Sequence, residues 1–160
     1  MSTVSIPGAA PAAKPLIPTL AALEAALAPF GEPLVRVAAG LMLLPHGAQK
    51  LFGWFGGYGV DATGQFFAAK LGLPASFALL AGLIEVFGGL ALAAGFLTRV
   101  AAALVVALMA VAVIWVHLPV GYFWMTGGLE YPLMWGLVAL AFVLRGGGRY
   151  SVDALIGREI

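Results

Sequence analysis

No cysteine occurs in this chain of 160 residues, and only 9% of its residues are charged. The first absence removes disulfide exchange, thiolate metal sites and cysteine-held iron–sulfur clusters as intrinsic chemistry. The second removes the ordinary soluble surface, in which about a quarter of residues are charged. The basic residues are scattered and the net charge is only +1, so the chain has no phosphate-binding patch and nucleic acid is not an expected partner. No Ser/His/Asp order, phosphate loop or dinucleotide fingerprint is present. With two histidines at different depths, a bis-histidine haem or a multi-ligand metal site within one chain is not expected either.

What is present is apolar. Hydrophobic residues make up 62% of the chain and the mean hydropathy is +1.05, which identifies an integral membrane protein. Residues 1 to 15 are mostly Ala, Pro, Ser and Gly with one lysine, a composition that predicts a disordered tail. Prolines 7, 11, 15 and 18 would also interrupt the apolar core of a cleavable signal. A short interfacial helix is expected from Thr19, with Leu20, Leu23 and Leu27 on one face, stopping at Pro29 and Gly31. Spans follow at about 34–51, 75–97, 100–116 and 130–144, the last one short. Between them lie two aromatic loops, in which Trp54, Phe55 and Tyr58, then Tyr122 and Trp124, suit an outer interfacial belt. After the last span Ser151 is placed to cap a brief amphipathic tail helix lying on the membrane. The expected fold is therefore all-α: an antiparallel four-helix membrane bundle (34–145) with short interfacial helices within 1–33 and 146–160.

Basic residues set the orientation. One side carries Lys14, Arg36, Arg99, Arg145, Arg149 and Arg158, the other only Lys50 and Lys70. Both termini are thus expected in the cytoplasm of a bacterial cell, with the aromatic loops outside.

Few polar residues fall inside the spans, so each needs a reason. On the first span Arg36, Gly40, Leu43, Gly47 and Lys50 form one stripe, with His46 beside Lys50, while Val37, Leu41, Leu44 and Ala48 suit lipid. At about 1.5 Å per residue, His46 lies roughly 18 Å from the inner end of its span, and Glu85 roughly 16 Å from the outer end of the second. The two therefore sit near one level, and Gly82 and Gly89 around Glu85 allow close approach. A His46–Glu85 pair is the leading expectation, with Lys50 and Glu130 completing a buried polar cluster. Arg36 and Arg99 are expected to snorkel to headgroups at the inner surface. His117, near the outer boundary, is expected to be structural, and Pro45 should free a backbone carbonyl that could accept from the cluster. The cluster has two readings: a ligand or proton site, for which Trp54 or Phe87 could supply an aromatic wall, or a pin that holds the helices in register.

His46-Gly47-x-x-Lys50, Glu85-x-x-Gly88-Gly89, Gly127-Gly128-x-Glu130-Tyr131-Pro132 and Gly146-x-Gly148-Arg149-Tyr150-Ser151 follow one another in this order. Together they resemble the DoxX family over about residues 34 to 155. The extension before Pro33 lies outside the family pattern. The resemblance implies a small four-helix inner-membrane protein, in a group that includes a quinone-linked thiosulfate oxidoreductase subunit and proteins associated with redox enzymes. The expected function is then a quinone-interacting subunit or partner of a membrane redox system. The alternative is a non-catalytic anchor or assembly factor. Expected partners are the lipid bilayer, a redox-enzyme subunit and a second copy of the chain, and quinone is the one expected cofactor.

Overall fold

The computed structural model describes residues 15–158. The tail expected over residues 1 to 15 lies, except for Pro15, outside the described residues. Six helices follow in order: α1 (Pro18–Phe52), α2 (Gly59–Phe66), α3 (Ser76–Ala94), α4 (Thr98–His117), α5 (Glu130–Arg145) and α6 (Val152–Ile156). α1, α3 and α4 are long and apolar enough to cross a membrane. α5 has 16 residues, about 24 Å of helix.

The chain falls into two units, one ending at Gly31 and the other running from Glu32 to Ile160. In the first, Leu20, Leu23, Leu27 and Phe30 are exposed at helical spacing. The expected stop at Pro29 and Gly31 does not occur: α1 runs without interruption from Pro18 to Phe52. A proline deletes one N–H bond and crowds one turn, a local loss that an apolar helix can absorb.

In the second unit α1 buries Arg36, Ala39, Gly40, Leu43, Gly47 and Ala48, the polar and small stripe expected of it. Of the predicted lipid face Val37 and Leu41 remain exposed, whereas Ala48 is buried and Leu44 is half-buried against Gly89. The stripe lies against α3 at very short range. A Cβ on Gly40 would collide with the carbonyl oxygen of Gly89, and one on Gly47 would come within 2.9 Å of the Gly82 carbonyl. Gly40 and Gly47, like Gly82 and Gly89, are seven residues apart, so the same small-residue seam recurs every two turns on both helices. α4 and α5 pack most extensively, with Val105 and Met109 against Ala139 and Ala101 and Ala102 against Phe142. Two departures from expectation shape the site. The first aromatic loop contains α2, which continues as a π-helical turn at Phe67–Leu71, and α3 itself carries a π-helical turn at Ile84–Gly88.

The ends of α3, α4 and α5 are tied together by side chains from elsewhere. Arg36 is not a headgroup anchor: it is 1% exposed and donates to the carbonyls of Leu92 (3.0 Å), Ala93 (2.7 Å) and Tyr150 (2.6 Å). The last carbonyls of α3 have no helical turn beyond them; the Gly95 amide serves the Leu92 oxygen at 3.1 Å, and the buried guanidinium supplies the further donors. Arg99 does the same for α5, donating to the carbonyls of Val143, Leu144 and Arg145. Asp153 completes the arrangement by capping α4 from outside, accepting from the Leu97 and Thr98 amides and the Thr98 hydroxyl at 2.6–2.9 Å. Burial alone would raise its carboxyl pKa, yet the bonds from Thr98 and Leu97 and the charge of Arg36 hold it below the ordinary aspartate value. The turn between α3 and α4 makes room for this, with Gly95 at φ +70° beside the Arg36 guanidinium. Ser151 caps α6 as expected, accepting from the Ala154 amide. The tail is nevertheless pinned by Asp153, which is 4% exposed, while Leu155 and Ile156 stay exposed.

Candidate functional site

A partly open cavity of about 500 Å³ is lined by α1, the π-helical turn after α2, α3, α4, α5 and the α4–α5 loop. Its wall is apolar except at a few places. Lys50 comes from the last turns of α1, and Glu85 from the π-helical turn of α3. A π-turn adds a residue to one turn, so the side chains within it depart from the simple helical register. Lys50 Nζ lies 2.8 Å from both Glu85 carboxylate oxygens. The Glu85 side chain is 6% exposed and that of Lys50 23%, so the carboxylate is the buried member and the ammonium faces the open space.

The expected pairing is thus revised: Lys50, not His46, is the group that engages Glu85. His46 lines the same cavity, and its carbonyl stands 3.4 Å from Lys50 Nζ. The depth estimate placed His46 and Glu85 at one level, but level alone does not choose among neighbours on one helix flank. Lys50 lies one turn further along and has the longer reach. The carbonyl that meets the cluster is that of His46 itself, rather than one freed by Pro45. Glu130 leaves the cluster altogether. Its carboxylate accepts from the Trp124 amide at 3.1 Å and braces the α4–α5 loop.

Aromatic walls are present but differ from those expected. Trp54 and Phe87 are 61% and 63% exposed and do not line the cavity, whereas Phe67, Phe77, Trp124, Tyr131 and Trp135 do. Trp54, Phe55, Tyr58 and Tyr122 remain exposed, as an outer belt would require. Trp124 is also half-exposed, yet it stacks on Tyr131 at 5.2 Å and contributes to the wall. His117, expected to be structural, lines the cavity as well. Its place there depends on the loop fold, which brings Gly127 back against the end of α4, and no periodicity in the sequence signals that. Among the described residues no three His, Cys, Asp or Glu side chains come together as a metal site.

An ammonium has three hydrogens. Two directions serve Glu85, and the third meets only the distant His46 carbonyl, so a ligand oxygen entering the cavity could claim it. The site can therefore donate a hydrogen bond to a carbonyl inside an apolar, aromatic enclosure, with a carboxylate behind the donor to exchange protons.

Comparison with known proteins adds three findings. The DoxX family model matches residues 31–118. The Bacillus subtilis (strain 168) protein called "Putative oxidoreductase CatD" is 28% identical over 127 residues, spanning 79% of this chain and 87% of the relative. No solved structure gives a significant match.

Proposed function

The chain belongs to the DoxX family, and on that footing we propose that it is a membrane redox-associated protein whose cavity binds the head group of a quinone. The observation that carries this reading is the Lys50–Glu85 pair set in an otherwise apolar and aromatic cavity of about 500 Å³. Small-molecule sites have about this volume and polarity, with a few placed polar groups fixing orientation. A quinone ring presents flat apolar faces to Phe67, Phe77 and Trp135 and a carbonyl oxygen to Lys50. When bound, it supplies acceptance of two electrons and two protons. The chain's own contribution is to hold the ring, exclude water and keep an exchangeable proton at Lys50 Nζ and Glu85. Electrons would come from a partner redox subunit, a role in keeping with the oxidoreductase name of the Bacillus relative.

Trp124 and Trp135 line the cavity, so their fluorescence should report occupancy. Titrating the purified protein with a short-tailed benzoquinone should quench it saturably, and Lys50→Met and Glu85→Gln should each raise Kd at least about tenfold, or 1.4 kcal/mol. If the wild type shows no saturable quenching, or both variants bind as it does, the anchor reading replaces this one.

We further propose that α5 is a fourth crossing and that both termini are cytoplasmic. Arg99, at the start of α4, holds the last carbonyls of α5, and His117, at its end, meets the loop that opens α5. The two helices are thus antiparallel over a common depth, and the excess of basic residues lies on the side of the termini. A topology reporter fused at Ala62 should read outside the cytoplasm. A cytoplasmic signal there would overturn the orientation.

A further inference from the structure

The cavity has a second polar pole, which the quinone reading leaves unused. His117 ends α4, and its Nδ1 lies 2.6 Å from the carbonyl oxygen of Gly127. A carbonyl can only accept, so Nδ1 carries the hydrogen, and in the neutral ring Nε2 then keeps its lone pair. The partner carbonyl is itself firmly placed. The Gly127 amide donates to Trp124 O at 2.9 Å, the Gly128 amide to Phe123 O at 2.9 Å and the Leu129 amide to Gly121 O at 2.9 Å. Glu130 accepts from the Trp124 amide within the same loop. This loop therefore fixes both the tautomer and the setting of a ring that lines the cavity together with Gly127, Trp124 and Tyr131.

The two poles are chemically opposite. Lys50 can only donate, whereas the free nitrogen of His117 can only accept. An oxidised quinone offers carbonyl acceptors alone and leaves the His117 nitrogen without a partner. A hydroquinone offers an oxygen to Lys50 and a hydroxyl hydrogen to His117. We infer that His117 is a ligand-binding residue that accepts, through Nε2, a hydrogen bond from a hydroquinone hydroxyl, so that the site distinguishes the reduced ring by its O–H. This inference rests on the quinone-site reading and names the form of the ligand that the second pole recognises.

The test uses the full chain in detergent under anaerobic conditions and three probes: a methoxy-substituted benzoquinone, its hydroquinone and the dimethyl ether of that hydroquinone. Wild type should bind the hydroquinone about fivefold tighter than the ether, the worth of one net hydrogen bond. His117→Asn retains an amide that can donate to the Gly127 carbonyl but has no acceptor where Nε2 stood. It should lose the preference for the hydroquinone over the ether, the ratio of the two being read within the variant so that any general change in cavity affinity cancels. A second measurement needs no variant: with only two histidines in the chain, histidine-selective nitrogen NMR should show the His117 Nε2 signal shift with hydroquinone and stay in place with the ether. The inference is overturned if wild type does not discriminate hydroquinone from ether, if His117→Asn keeps the preference or weakens all three probes equally, or if the Nε2 signal ignores the hydroquinone. Quinone binding that depends on Lys50 but shows none of these effects sinks the His117 role alone. Failure of wild type to bind any probe sinks the quinone reading and this inference with it.

Discussion

Arg36→Met should still insert in the membrane but melt in detergent on the order of 10 °C below wild type, a loss of about 3–5 kcal/mol. Arg36 is among the most deeply buried side chains of the described chain and serves three carbonyls, two at the end of α3 and one at Tyr150. Methionine fills most of the space but offers no donor, so all three carbonyls lose the guanidinium, the Leu92 oxygen keeping only the Gly95 amide, at a cost of about 1–3 kcal/mol for a buried oxygen left unsatisfied. Part of this is offset, because the change also removes a buried cation whose Nε has no hydrogen-bond partner. Arg36→Lys should recover only a fraction, since one ammonium cannot span the α3 carbonyls and Tyr150 as a planar fork does. An unchanged melting midpoint for Arg36→Met would falsify the assignment of Arg36 as the tie between the end of α3 and Tyr150.

The Lys50–Glu85 pair should show the second large effect, and its signature is non-additivity. Lys50→Met alone removes the cation from a carboxylate whose side chain is 6% exposed, leaving an uncompensated charge at a cost of about 3–5 kcal/mol. Glu85→Gln alone leaves a partly exposed ammonium beside a neutral amide, which should cost less because Lys50 retains access to the cavity. The double variant Lys50→Met/Glu85→Gln buries no charge at all and should regain most of the wild-type midpoint. A double-mutant cycle on thermal unfolding in detergent reads this directly. Additive losses, with the double variant less stable than either single one, would show that the two groups do not act as a pair. Stability and ligand binding separate here: the double variant should be stable and still fail to bind quinone.

The two effects also mark where the sequence was readable. The Arg36-to-Lys50 stripe could be seen because a helix repeats every 3.6 residues, and its small members predicted the close seam that Gly40 and Gly89 form. Glu85 could be singled out because a lone carboxylate in an apolar run is costly. Its partner could not be chosen, since His46 and Lys50 share one flank and the choice depends on reach and on a π-turn that composition does not announce. Arg36 was misread for a related reason. An arginine near a helix end has the same pattern whether it reaches lipid or a neighbouring helix, and only the meeting of the α3 end with the segment around Tyr150 decides between them. Asp153 gave no signal, because it caps a helix that begins 55 residues earlier.

Local physics, then, determined membrane insertion, the long apolar helices and the identity of the residues too polar to face lipid, since hydropathy and helical period are properties of neighbouring residues. Tertiary structure decided the partners of those residues. It joined Lys50 to Glu85, moved Glu130 into a loop brace, and brought His117 to the wall of the same cavity. Each of these contacts links residues far apart in the chain, and its geometry depends on helix crossings, π-turns and loop closures that arise only when the helices pack.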